Sequence, residues 1–255
     1  MTLKWITRFL FRTLPALCLL LCSACATVKT PDPNDPLESY NRAMFAFNDT
    51  LDKYALKPVA RGYKAVTPDI VDKGVTNFFS NIDDVVVLVN DILQLKIKQA
   101  VSDTTRIVFN TFIGLGGLID VSTKFGLPKH DEDFGQTLGY WGVGSGPYLV
   151  LPFFGPSDIR DAGGFTVDTV EFDPLQKIPK QSDRYTAVSL KYIDIRADLL
   201  KATDIIDATA IDRYSYIRDA YLQRRKNLVY DGHPPAGPSD EDIYGDDLFK
   251  DDIKR

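Results

Sequence analysis

Residues 36–54 read Pro-Leu-Glu-Ser-Tyr-Asn-Arg-Ala-Met-Phe-Ala-Phe-Asn-Asp-Thr-Leu-Asp-Lys-Tyr. Leu37, Tyr40, Met44, Phe47, Leu51 and Tyr54 recur three and four apart, the period of one face of an α-helix. Asp35 stands where a cap belongs, Pro36 takes the first helical position, Glu38 falls in the first turn, and Pro58 is expected to limit the far end. The same period returns downstream. Helices are expected over Asp69 to Phe79, through Ile82, Val85, Val86, Val89, Ile92 and Leu93, and over 96–112. Two more follow, through Tyr185, Val188, Tyr192, Ile195 and Leu199 and through Tyr214, Ile217, Tyr221 and Leu228. Strand-like character is confined to Tyr148-Leu149-Val150-Leu151, expected as a short hairpin or extended loop. The fold class is therefore mainly α, in one domain between Asp32 and Gly232.

Two stretches interrupt the helical pattern. One is Ile113-Gly114-Leu115-Gly116-Gly117-Leu118-Ile119. The other runs from Phe134 to Gly155 and holds six glycines, two prolines, six aromatics and no charge. Frequent glycine permits unusual backbone angles and close backbone approach. A loop without charge either packs inside the protein or touches lipid, and Trp and Tyr suit the membrane interface.

The ends of the chain carry different signals. Lys4, Arg8 and Arg12 precede an apolar run from Leu14 to Leu21, and the small residues Ser23 and Ala24 precede Cys25. That order is an export signal, and its apolar run is shorter than the ~20 residues of a spanning helix. Cys22-Ser23-Ala24-Cys25 resembles a lipobox, with Cys22 where Leu is usual, so residues 1–24 read as a lipoprotein signal peptide and Cys25 as the acylated residue. The alternatives are ordinary cleavage near Ala26 and a retained anchor. Ala26 follows the Cys where an Asp commonly holds a lipoprotein at the inner membrane. Residues 25–36, with Pro31, Pro33 and Pro36, read as a lipid-proximal linker, and 37–232 as the helical domain. Residues 233–255 contain Asp240, Glu241, Asp242, Asp246, Asp247, Asp251 and Asp252 and read as an acidic, disordered tail, serving either solubility or docking.

Several chemistries find no support. Loss of Lys4, Arg8 and Arg12 moves the net charge from −5 to −8, which disfavours nucleic acid. Once Cys18 and Cys22 leave and Cys25 is acylated, no thiol remains for a disulfide, zinc or nucleophilic role. His130-Asp131-Glu132-Asp133 lacks a second nearby His and reads as an exposed turn rather than a metal site; Ca²⁺ is the ion it would suit best. Gly144-Ser145-Gly146 is too short for a nucleophile elbow, and no Walker-type nucleotide motif occurs. No cofactor and no enzymatic reaction are expected, although Glu38 or Glu171 with a nearby Asp leaves a glycosidase-like pair open.

The ordered words Asp35-Pro36-Leu37-Glu38, Lys57-Pro58-Val59-Ala60, Asn110-Thr111, Gly114 through Val121, Glu132 through Gly139, Trp141-Gly142-Val143-Gly144, Gly146-Pro147-Tyr148, Gly155-Pro156-Ser157 and Arg160-Asp161 resemble the MlaA/VacJ family of outer-membrane lipoproteins from about Asp35 to Gly232. The resemblance implies a ring of amphipathic helices around a central channel, lying at the inner leaflet of the outer membrane with a Gly/aromatic-rich hairpin loop. Through it, mislocalised phospholipid would pass from the outer leaflet to a periplasmic lipid-binding carrier, which maintains lipid asymmetry. It also implies trimeric porins as partners. Gly139, Trp141, Gly142, Gly144, Gly146, Pro147 and Tyr148 correspond to the channel-associated hairpin. Arg160 and Asp161 read either as a polar contact at the channel mouth or as a helix-end salt bridge. Arg184, Lys191 and Arg196 read either as partners of the lipid phosphate or as a solvated face. A porin-scaffolding lipoprotein and a cell-envelope hydrolase are the competing functions.

Overall fold

The computed structural model describes residues 35–235. The expected signal peptide, Cys25, most of the linker, and the tail beyond residue 235 lie outside the described residues.

Helix α1 (Glu38–Leu51) runs through a π-helical turn (Asp52–Leu56) into α2 (Lys57–Val66). Then come α3 (Asp69–Leu93), α4 (Ile97–Phe112), α5 (Phe134–Tyr140), strands β1 (Tyr148–Leu151) and β2 (Gly155–Asp158), α6 (Ile159–Val167), a second π-turn (Asp168–Phe172), α7 (Gln181–Asp198), α8 (Leu200–Thr209) and α9 (Arg213–Val229). The mainly helical class holds, and the strand-like stretch forms an antiparallel hairpin in the register Tyr148↔Asp158 to Leu151↔Gly155.

Several local expectations are corrected. The segments expected at 69–79 and 82–93 form one 25-residue helix, because nothing at Ser80 or Asn81 breaks the backbone ladder. Pro58 ends no helix: the π-turn before it absorbs the missing donor, and Pro58 sits in the first turn of α2. Phe134–Tyr140 lies within the stretch expected to be irregular but is helical, capped by Asp133, whose Oδ1 accepts from Gln136 N at 2.8 Å. Asp35 does not cap α1 through its side chain. It is buried, accepting from Asn41 Nδ2 at 2.8 Å and from the Tyr214 hydroxyl. Of the acids after Pro128 expected in an exposed turn, Asp131 is exposed, but Glu132 is buried against Lys96 at 2.8 Å and Gln94 at 2.8 Å. Helix α8 was not anticipated at all.

The elements close a circuit. α1 touches β1; the hairpin touches α6 and α9; α6 packs on α5, α5 on α3, α3 on α7, and α7 on α2, which leads back to α1. Two asparagines fasten the hairpin to α1. Asn41 donates to Tyr148 O at 3.0 Å and accepts from Val150 N at 2.8 Å. Asn48, two turns on, donates to Leu151 O at 2.9 Å and accepts from Phe153 N at 2.8 Å. Each amide thus serves the free edge of β1 as a neighbouring strand would. At the α5–α6 crossing two glycines let backbones touch: a Cβ on Gly164 would lie 2.4 Å from Gly135 N.

Burial runs opposite to that of a water-soluble domain. Among the described residues only nine apolar side chains are fully buried, including Phe79, Val87, Tyr148, Val150, Leu175 and Tyr214. Twenty-two polar or charged residues are buried, among them Asp84, Asp91, Asp103 and Arg106. Large apolar side chains instead cover the outside: Ile70 and Phe112 are each 81% exposed, Leu115 69%, Phe153 66%. Soluble proteins rarely bury charge on this scale or show so much contiguous apolar surface.

Candidate functional site: a charged cavity inside an apolar rim

The ring encloses an open cavity of about 510 Å³. Its walls come from one face of α3 (Thr76, Phe79, Ser80, Asp83, Val86, Val87), the segment Lys129–Gln136, Phe165 of α6, Asp168 and Thr169 in the second π-turn, Asp173–Gln176, one face of α7 (Val188, Lys191, Tyr192, Asp194, Ile195, Asp198), and Arg224, Arg225 and Leu228 of α9. The three- and four-residue spacing along α3 and α7 aims both faces inward. Phe79, Val86, Val87, Val188 and Ile195 give the wall apolar ground between its charges.

Those charges are tightly organised. Lys191 Nζ meets Asp83 at 2.5 Å, and Lys129 meets Asp84. Arg225 grips Asp133 through two nitrogens at 2.5 and 3.0 Å and reaches Asp161 at 2.5 Å. Burial opposes ionisation of Asp133, yet this guanidinium and the α5 backbone hold its carboxyl below the usual range. Asp168 accepts from Asn90 Nδ2 at 3.0 Å and Phe134 N at 2.8 Å; burial outweighs both bonds and pushes its carboxyl up to about 6. Asp194 accepts from the Tyr63 hydroxyl and the Thr76 hydroxyl, both at 2.9 Å, and burial raises it as well.

The residues singled out by sequence are dispersed. Of Arg160, Asp161, Arg184 and Lys191, only Lys191 lines the cavity. Arg160 and Asp161 pair with each other at 2.9 Å inside the protein, where Asp161 also accepts from Tyr221 at 2.6 Å. Arg184 donates to Gln176 O at 3.3 Å and lies over the Tyr185 ring. Arg196 forms a bidentate pair with Asp52 at 2.5 and 2.8 Å. None of the hairpin residues lines the cavity. Trp141 through Pro147 are exposed; Trp141 Nε1 donates to Leu93 O at 3.1 Å, and Ser145 O accepts from Arg160 N at 3.1 Å. Gly142 and Gly146 adopt φ +89° and +69°. Gly139 lies in α5 against Arg160 and Val229. Tyr148 does not share the loop's exposure: strand alternation turns it into the core against Tyr214 and Tyr221. Sequence reading missed Asp83, Gln136, Asp168, Asp173 and Asp194. Asp72, Thr76 and Asp83, a polar stripe at helical spacing on an apolar helix, were the available signal for the α3 wall.

Among the described residues no cluster of three or more His, Cys, Asp or Glu is arranged to hold a metal, and no helix is long and apolar enough to cross a membrane. His130 Nδ1 lies 2.8 Å from Asp103.

The helical fold has counterparts among known proteins. The model of the MlaA lipoprotein family matches residues 33–228. The chain belongs to the MlaA lipoprotein family. It is 35% identical over 243 residues to the Escherichia coli K12 intermembrane phospholipid transport system lipoprotein MlaA, covering 91% of this chain and 94% of that one. The Haemophilus influenzae MlaA is 31% identical over 209 residues, 81% and 83% of the two chains. A Rickettsia bellii protein of uncharacterised function is 37% identical over 195 residues, 76% of each. A solved structure, described as the structural basis for maintenance of bacterial outer membrane lipid asymmetry, superposes with a TM-score of 0.67 at 35% identity, covering 76% of this chain and 98% of that one. The mainly helical, MlaA-like ring is thus shared with a relative of known structure.

Proposed function

We propose that this protein is an outer-membrane lipoprotein that takes mislocalised phospholipid from the outer leaflet through the ring and passes it to a periplasmic lipid-binding carrier. Its relatives are named as lipoproteins of intermembrane phospholipid transport, and its own inverted burial fits that task. The apolar exterior suits a ring seated in one leaflet, since burying a Phe or Leu side chain gains about 1.5–3 kcal/mol. The cavity gives the head group a wet, charged path that acyl chains alone could not provide. The single observation that carries this reading is the combination of exposed apolar helix faces with a charged open cavity. Acyl chains on Cys25, after removal of residues 1–24, would hold the ring at the periplasmic side of the membrane. In this arrangement residues 25–36 span the gap, 37–232 form the ring, and 233–255 remain a solvated tail. The exposed loop Trp141–Pro147 belongs to the surface that meets lipid or a trimeric porin. No bond of the lipid is broken or made.

The test fills the cavity. Ser80→Trp with Val188→Trp places two indoles on the cavity walls of α3 and α7. Cells carrying this double variant are expected to retain normal protein levels and porin association while exposing phospholipid at the surface as a deletion strain does. Intact lipid asymmetry would overturn the passage and leave the porin-scaffolding role.

A further inference from the structure

The cavity wall carries unequal charge, and the inequality bears on which head group it takes. Every basic side chain that lines it already holds a carboxylate. Lys191 sits on Asp83, Lys129 on Asp84, Arg225 on Asp133 and Asp161, and Arg224 on Asp131 at 3.4 Å. Three wall acids have no basic partner among the described residues. Asp168 and Asp194 are met only by neutral donors, and Asp173 only by the backbone N–H of Leu175 at 2.8 Å. A second, independent feature points the same way. Gln136 is 2% exposed and lines the cavity; its amide nitrogen donates to Asp131 O and Asp133, but its oxygen Oε1 has no hydrogen-bond partner. A buried acceptor left empty costs about 1–3 kcal/mol unless a ligand donor fills it. The field is also felt nearby: burial first, then Asp173 and Asp83, raise the Tyr192 hydroxyl.

We infer that the cavity selects phospholipids whose head group carries an ammonium, of the zwitterionic ethanolamine type, over lipids with a net anionic head group. This rests on the proposed transport function and specifies its substrate. An ammonium brings a positive charge and three N–H donors, which suit a wall on which Asp168, Asp173 and Asp194 have no basic partner. A phosphate beside the ammonium can approach Lys191 and Lys129 on the same wall, and the zwitterion as a whole adds no net charge. A glycerol head group brings the phosphate's charge with no ammonium, so it meets unneutralised carboxylates and leaves the acceptors empty.

The test uses the full-length acylated protein in detergent micelles containing equal amounts of phosphatidylethanolamine and phosphatidylglycerol with identical acyl chains. Retained lipid is quantified by mass spectrometry, and the amount retained by the cavity-filled Ser80→Trp, Val188→Trp protein is subtracted to remove lipid bound to the rim. The ethanolamine lipid should be enriched at least about tenfold in the difference. Asp173→Asn, which keeps the cap on Leu175 N, should reduce the enrichment, and Thr169→Lys should invert it. Equal retention of both lipids, a glycerol-lipid excess, or enrichment unchanged in Asp173→Asn would overturn the head-group inference while leaving transport standing. No cavity lipid of either kind would overturn the transport reading as well.

Discussion

The rim and the wall of this ring obey opposite rules. On the rim, at Phe112–Ile119, Trp141–Val143 and Phe153–Phe154, apolar side chains face outward and glycines shape the turns. On the wall, and in the seam between α3 and α4 behind it, charged side chains face inward and pair with one another. Helix α3 belongs to both regions: Ile70, Val71, Phe78 and Ile92 are exposed, while Asp72, Asp84, Asn90 and Asp91 are buried. The hydrophobic effect still orders the helices. Its sense is reversed because the proposed solvent outside is hydrocarbon and the interior is wet.

The seam should be the most sensitive part. Arg106 is 1% exposed and donates to Leu127 O at 2.7 Å and to Thr123 at 3.1 Å, with Asp84 at 3.5 Å and Asp120 at 3.4 Å. Arg106→Ala leaves buried Asp84 with Lys129 alone and Leu127 O without its donor, and is expected to cost about 3–5 kcal/mol, measured as thermal unfolding in detergent. A loss within the range of a surface substitution would show the interior to be far wetter than its burial indicates.

The rim should respond in binding rather than in folding. Phe112→Glu with Phe153→Glu is expected to leave the melting temperature nearly unchanged. Partition of the non-acylated chain into phospholipid vesicles should fall by about 2 kcal/mol per site, roughly 30-fold for each. Unchanged partition, read by vesicle flotation, would remove the apolar rim from membrane contact.

A smaller effect is expected at Asp91. It is fully buried, its oxygens lack hydrogen-bond partners among the described residues, and the carboxylate of Asp103 adjoins it. Burial, then Asp103, push its carboxyl up to about 8. The folded state therefore holds a proton that the unfolded chain releases near the ordinary value of 3.8, so stability falls as pH rises from there toward about 8. Asp91→Asn should remove this slope. It is expected to raise the melting temperature by a few degrees, roughly 2–4 °C per kcal/mol, at pH 8 and to leave it unchanged at pH 4. A destabilised Asn variant at pH 8 would mean that ionised Asp91 is satisfied.

The smallest effect belongs to the cavity mouth. Arg224 and Asp131 meet at 3.4 Å with side chains 66% and 61% exposed. Arg224→Ala should change stability by less than about 1 kcal/mol, a difference that added salt erases.

Local sequence determined much of the secondary structure. The three- and four-residue periods marked α1, α4, α7 and α9, and the run Tyr148–Leu151 marked the hairpin, because those patterns depend only on helix and strand geometry. The matching words from Asp35 to Arg160 located the family, and the export signal and Cys25 pointed to an acylated chain. Tertiary structure decided the rest. It fused two expected helices into α3, carried the chain past Pro58 on a π-turn, and buried Glu132 and Asp35. It also set an open cavity along the α3–α7–α9 wall, which Lys191 alone of the nominated polar residues lines. The physical reason is one of symmetry. A polar stripe on an amphipathic helix has the same period whether it faces bulk water or a wet hole, so only the packing of the helices into a ring tells the two apart.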